Sequence, residues 1–133
     1  GYPCIFYADY YGAHYKDTGN DGGEYEIWLD SHRWLIDKFL HARSTHAFGD
    51  QYDYFDHPNT VGWTRLGTED NPGGMAVVLT NGDDGRKWMQ VGQPNCVYYD
   101  ITEHIQETVT TNDEGWAEFS CEAGSVSVWV PKN

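Results

Sequence analysis

Residues 115–131 read GWAEFSCEAGSVSVWVP. Apolar and polar side chains alternate here, which is the two-residue period of a strand with two different faces. Ala117, Phe119 and Cys121 fall on one face of the first run, and Val126, Val128 and Val130 on one face of the second. Glu122-Ala123-Gly124-Ser125 supplies a turn between them. The pair therefore reads as an antiparallel hairpin. Trp116 and Trp129 lie on the faces opposite those aliphatic rows.

Working outward, the same texture extends back to residue 52. Segments 52–56, 60–65, 75–80, 86–91, 97–101 and 107–111 resemble short strands. His57-Pro58-Asn59, Asn71-Pro72-Gly73-Gly74, Asn81-Gly82-Asp83-Asp84-Gly85 and Asn112-Asp113-Glu114-Gly115 carry turn chemistry between them. Roughly eight short, evenly spaced strands imply a mainly β fold, an antiparallel sandwich or barrel. The stretch ahead of it differs. Leu35, Ile36, Phe39 and Leu40 form an apolar stripe, extended by Trp34 and Ala42, so residues 31–47 read as an amphipathic helix. Asp30 or Ser31 can cap its start and Gly49 can end it. Cys4-Ile5-Phe6-Tyr7 is continuously apolar, as in a strand buried on both faces, and residues 13–28 read as a polar, glycine-rich loop. Strand, loop and helix suggest one β/α unit over residues 1–48, followed by a β-domain over 49–133.

Composition narrows the function classes. The 133 residues hold 21 acidic and 8 basic side chains, a formal net charge of −13. That field opposes nucleic acid and anionic membrane surfaces, whereas neutral sugars are indifferent to it. No stretch approaches the ~20 apolar residues of a membrane span. Three cysteines, Cys4, Cys96 and Cys121, make no disulfide framework, although a Cys96–Cys121 pair stays open. They mildly favour a reducing, cytoplasmic setting. A start at Gly1-Tyr2-Pro3 suggests a fragment or processed product.

The opening GYPCIFYADYYG resembles the segment forming the eighth barrel strand in the α-amylase family, with Ala8 in place of the usual glycine. LHARSTHAFG is similar to the end of the following helix. DQYDYFDHPNTVGWTR, the NGDDG turn and GWAEFSCEAGSVSVWVP are similar to that family's C-terminal β-domain, which implies an antiparallel Greek-key β-sandwich. The nearest likeness is the bacterial liquefying type. The resemblance implies an enzyme that hydrolyses internal α-1,4-glucosidic bonds of starch or glycogen with retention. Retention needs two carboxyl groups ~5 Å apart. In the family these come from earlier strands, and none of their motifs occurs here, so no catalytic residue carries over and the segment alone is expected to be inactive. Its partners would be the remaining barrel of the parent chain and, in the intact enzyme, an α-glucan. Self-association through an exposed barrel strand is a further expectation.

Calcium is possible in the intact enzyme. The β-domain positions implied as ligands are Pro58, Asn59 and Asn81, where both expected carboxylates have become amides. The loop DTGNDGGEYEIW fails as an EF-hand, because Trp28 stands where the bidentate Glu should close it. Asp9, Asp17, Asp21, Glu24 and Glu26 read as solvated loop carboxylates, and the six histidines as surface or capping residues. An alternative function is a stand-alone carbohydrate-binding module. Trp116 and Trp129 are its first candidates for stacking on sugar rings, with Trp63 and Trp88 behind them.

Overall fold

The computed structural model describes residues 2–133. The chain divides into two compact units, Gly1–Lys38 and Phe39–Asn133. In the first, helix α1 (Tyr7–Tyr11) precedes an antiparallel hairpin of β1 (Ala13–Thr18) and β2 (Glu24–Leu29). Helix α2 (Arg33–His46) begins in this unit and continues into the second. Ser31 Oγ accepts a hydrogen bond from the Arg33 N–H (3.3 Å) and so satisfies one free donor at the helix start.

Two expectations for this unit are corrected. Cys4-Ile5-Phe6-Tyr7 is not a strand: residues 2–6 have no regular structure and Tyr7 opens α1. A strand needs a ladder partner, and none is paired with this segment. Residues 13–28, read as a loop, instead contain the hairpin. Cross-strand pairs such as Tyr15 with Ile27 and His14 with Trp28 hold it together.

The second unit holds eight strands, each overlapping a segment read from sequence: β3 (Gln51–Tyr54), β4 (Thr60–Gly67), β5 (Pro72–Thr80), β6 (Gly85–Gln90), β7 (Val97–Asp100), β8 (Val109–Thr110), β9 (Trp116–Cys121) and β10 (Val126–Pro131). Six of them make an antiparallel sheet ordered β3-β4-β5-β10-β7-β8, and β6 and β9 pair separately. The chain thus leaves the large sheet at β6, returns for β7 and β8, leaves again at β9 and returns with β10. That last strand inserts between β5 and β7.

Two cores result. Ala76, Val78, Tyr98 and Trp129 on the large sheet pack against Met89, Ala117 and Phe119 of the β6–β9 ribbon. On the sheet's other face Met75, Val77, Val128 and Val130 pack with Ala42, Phe39 and Trp63. Burial of these apolar side chains contributes roughly 25 cal/mol per Å² removed from water. The sheet is therefore covered on both faces along its centre, and β10 has core on both sides.

The corner after α2 is tightly built. Gly49 has φ +79°, and a Cβ there would lie 2.0 Å from the Gly67 carbonyl oxygen. The Arg65 guanidinium donates from Nε (2.9 Å) and Nη2 (2.7 Å) to the Gly49 carbonyl. Gly49 was expected as the helix stop. It does more, letting the chain press against the bulged end of β4 near Arg65 and Gly67.

Candidate functional site

The β6–β9 ribbon turns one face to the core and the other outward. Lys87 and Met89 on β6, with Ala117, Phe119 and Cys121 on β9, are buried. Strand alternation therefore puts Arg86, Trp88 and Gln90 outside, beside Trp116, Glu118 and Ser120. Trp88 pairs directly with Glu118, and Gln90 with Trp116, so the two indoles are diagonal neighbours. Their rings stack at 6.3 Å between centroids and 13° between planes. Tyr54 meets Trp116 edge-on at 6.4 Å and 84°. The Tyr54 hydroxyl accepts a hydrogen bond from the Gln90 N–H (3.2 Å), which fixes the tyrosine to the ribbon. Arg86 and Glu118 form an exposed ion pair alongside (3.6 Å), worth little in stability.

The result is an outward aromatic surface with Trp88 56% exposed and Trp116 half-buried, rimmed by a carboxylate, a guanidinium and an amide. An indole face accepts the apolar C–H face of a ring ligand, and the polar rim can take its hydroxyls. Sequence reading found Trp116 and Trp88. It missed Tyr54, Arg86 and Glu118, whose signal was the register between β6 and β9.

Trp129 requires correction. It is fully buried in the core, and its Nε1–H donates to the Ser120 carbonyl (3.0 Å). Its ring cannot meet a sugar. Trp63 lies in neither place: it lines a groove of about 550 Å³ on the sheet's opposite face, with Phe39, Met75, Val77, Leu79 and Val128.

The positions implied for calcium sit at the mouth of β4 and β5. The Asn81 N–H donates to the Asn59 carbonyl (3.1 Å), so the structure does bring those two residues together. His57 Nδ1 accepts from the Asn59 and Thr60 N–H groups (3.1 Å each), which shapes the Pro58 turn. Lys87 enters the same cleft and binds Asp56 at 2.5 Å. Its ammonium holds the Asp56 carboxyl below the usual carboxylate range. Two neutral amides beside a cleft that already holds an ammonium do not fit a hard dication that favours charged oxygens. Among the described residues no cluster of three or more His, Cys, Asp or Glu side chains has metal-binding geometry.

The acids singled out from the sequence lie apart from one another's hydrogen bonds and ion pairs. Asp9, Asp17, Asp21, Glu24 and Glu26 are all exposed. Asp21 closes the β1–β2 turn, accepting from the Gly23 N–H (2.8 Å) and the Tyr25 hydroxyl. Glu24 neighbours Lys16 (3.7 Å) and Glu26 neighbours His14 (3.9 Å). Asp100 is the buried one, 2% exposed. Its Oδ1 accepts from the Thr102 N–H (2.9 Å), the Thr102 hydroxyl (2.7 Å) and the Val128 N–H (3.1 Å), and its Oδ2 from the Ile105 N–H (3.1 Å). Those bonds tie β7 to β10 and leave the carboxylate no room for chemistry. All three cysteines are free thiols, and burial pushes Cys96 and Cys121 up from their ordinary values.

Comparison with known proteins now adds to this geometry. The model of the α-amylase C-terminal domain matches residues 77–130, from β5 to β10. An α-amylase of Geobacillus stearothermophilus is 46% identical over 135 residues, covering 99% of this chain and 23% of that protein. A cytoplasmic α-amylase of Escherichia coli (strain K12) is 45% identical, covering 98% of this chain and 26% of that protein. A glucan 1,4-α-maltohexaosidase of Bacillus sp. (strain 707) is 43% identical, covering 99% and 24%. The chain thus spans about a quarter of the length of these relatives. These proteins match this chain along its whole length, and the domain model covers the strands from β5 to β10. The chain belongs to the α-amylase family as a C-terminal segment.

Proposed function

We propose that this chain serves an α-amylase that hydrolyses internal α-1,4-glucosidic bonds of starch or glycogen with retention. Its own part is structural: it lacks the catalytic carboxylates and stabilises the barrel. Residues 1–48 are the C-terminal remnant of the barrel, and residues 49–133 the appended β-domain. The observation carrying this is the state of the acids. Retention requires two carboxyl groups facing one bond. Here the buried Asp100 is consumed by four hydrogen bonds, and the acids singled out near the N-terminus lie open to solvent. The apolar groove around Trp63 and Leu79 is the surface that the remaining barrel of the parent chain covers.

The test is hydrolysis of soluble starch. The 133-residue chain releases no reducing ends, whereas the parent enzyme containing it does. Hydrolysis by the chain alone that disappears in Asp9→Ala or Glu24→Ala overturns the reading.

The Trp88–Trp116 surface favours a second role for the same domain, holding α-glucan away from the cutting site. Maltoheptaose should then change tryptophan emission saturably, and Trp88→Ala with Trp116→Ala should abolish most of that change. A flat titration of the unsubstituted chain excludes the role.

A further inference from the structure

The β1–β2 hairpin has two unlike faces. Ala13, Tyr15 and Asp17 lie on one with Tyr25, Ile27 and Leu29. This is the apolar face, suited to packing against protein. The other carries His14, Lys16 and Thr18 opposite Trp28, Glu26 and Glu24. It is polar except for a single large ring. Trp28 is directly across from His14, and the two rings stack at 3.4 Å and 9°. Glu26 reaches the His14 Nε2 (3.9 Å), and Lys16 lies 3.7 Å from Glu24. The imidazole covers one face of the indole. With Trp28 still 68% exposed, the other face is open.

The hairpin is also firmly closed. The Gly19 N–H donates to the Gly23 carbonyl (2.8 Å), the Gly22 N–H to the Gly19 carbonyl (2.9 Å), and Asp21 ties the turn to Gly23 and Tyr25. An aromatic plane held by a stacked neighbour loses little freedom when a ligand settles on it. A lone ring among carboxylates, an ammonium and an imidazole is poor for a membrane or a protein core. It suits a ligand with one apolar face and many hydroxyls at its edge.

We infer that Trp28, backed by His14 and flanked by Glu26, is a stacking subsite for an α-glucan chain, separate from the Trp88–Trp116 surface. This rests on the proposed amylase function, because it takes its sugar class from that reading. It also takes its place from it: the hairpin lies just ahead of α2, and barrel enzymes bind substrate with the segments that precede their helices. Trp28 is then a substrate-positioning residue that touches sugar and takes no part in bond cleavage.

The experiment follows the Trp28 indole N–H by NMR in the 133-residue chain carrying Trp88→Ala and Trp116→Ala, so that the other surface is silent. Titration with maltoheptaose moves that resonance saturably. Trp28→Ala weakens binding about tenfold or more, consistent with the loss of an aromatic contact. Trp28→Tyr, which keeps a ring, restores part of it. Cross-strand contacts between Tyr15 and Ile27 persist in both variants, showing that the hairpin remains folded. In the parent enzyme Trp28→Ala raises KM for maltooligosaccharides and leaves kcat nearly unchanged. No movement of the Trp28 resonance, with starch hydrolysis by the parent enzyme intact, overturns the subsite alone. Movement with cellohexaose but not maltoheptaose overturns the sugar class, and with it the amylase reading. Unchanged KM in Trp28→Ala overturns the positioning role.

Discussion

Asp100→Ala would test whether the buried carboxylate is a tie rather than a reactive group. The carboxylate accepts four hydrogen bonds, three from backbone N–H groups and one from a hydroxyl. Hydrogen bonds to a charged partner contribute about 1.5–3 kcal/mol each, and a buried donor left without a partner costs about 1–3 kcal/mol. The terms share one acceptor and do not add. Thr102 Oγ1 also lies 3.5 Å from the Val126 carbonyl, so it can turn there. That leaves the N–H groups of Thr102, Val128 and Ile105 unpaired, and we expect a loss of about 4 kcal/mol, within the range for breaking a buried charged network. Since a domain has roughly 5–15 kcal/mol in all, the variant should sit close to unfolding at room temperature. Asp100→Asn keeps one acceptor oxygen for the Oδ1 donors and turns an NH2 toward the Ile105 N–H. It should cost about 2 kcal/mol, leaving a measurable folded population. Urea unfolding followed through the buried Trp129 reads both variants. A loss under about 1 kcal/mol in Asp100→Ala would refute the network as drawn. In the parent enzyme the folded fraction of Asp100→Asn should keep its kcat on starch. A large drop in kcat at full folding would make Asp100 part of the chemistry.

Two further outcomes follow from the same structure. Gly49→Ala puts a methyl 2.0 Å from the Gly67 carbonyl at φ +79° and should cost about 3–5 kcal/mol. Gly124→Ala at φ +57°, with no atom within 4 Å, is the matched control and should cost only about 1 kcal/mol; equal losses in thermal unfolding would contradict the close approach. Burial, and then repulsion from His41, holds His46 below its ordinary 6.5. The unfolded chain takes up that proton more readily, so His46 contributes stability that is complete above about pH 6.5 and lost as pH falls through the folded value. Tm should therefore drop more between about pH 7.5 and 5.5 in the unsubstituted chain than in His46→Gln, and parallel curves would argue against it.

The β-domain was legible because its signals are local. Alternation at Ala117-Glu118-Phe119 and at Val126 to Val130 sets the faces, and the Asn-Gly and Pro-Gly turns set the spacing. Trp129 shows what alternation leaves out. It separates the two faces of a strand without saying how many layers cover them, and β10 is covered on both. The hairpin at residues 13–29 was illegible for a different reason. Its apolar row, Tyr25, Ile27 and Leu29, is short, and His14, Lys16 and Asp17 with the Gly-rich turn outweigh it when the stretch is read as one polar segment. Cys4 to Tyr7 has the opposite defect: an apolar run reads as a strand, yet strand geometry depends on neighbours for its hydrogen bonds. The Trp88–Trp116 contact was half visible, since alternation places Trp116 outside but only the β6–β9 register brings Trp88 beside it.

The late insertion of β10 has a consequence for biosynthesis. Translation delivers β5 and β7 first, and the slot between them stays empty until residues 126–131 emerge. Until then the nascent chain presents two unpaired strand edges in the middle of its largest sheet, one of them the long, apolar β5. Loss of residues 126–131 would leave that seam permanently open. Quality control would meet a polypeptide with a split sheet, prone to stitch itself to another copy, rather than a slightly shortened domain.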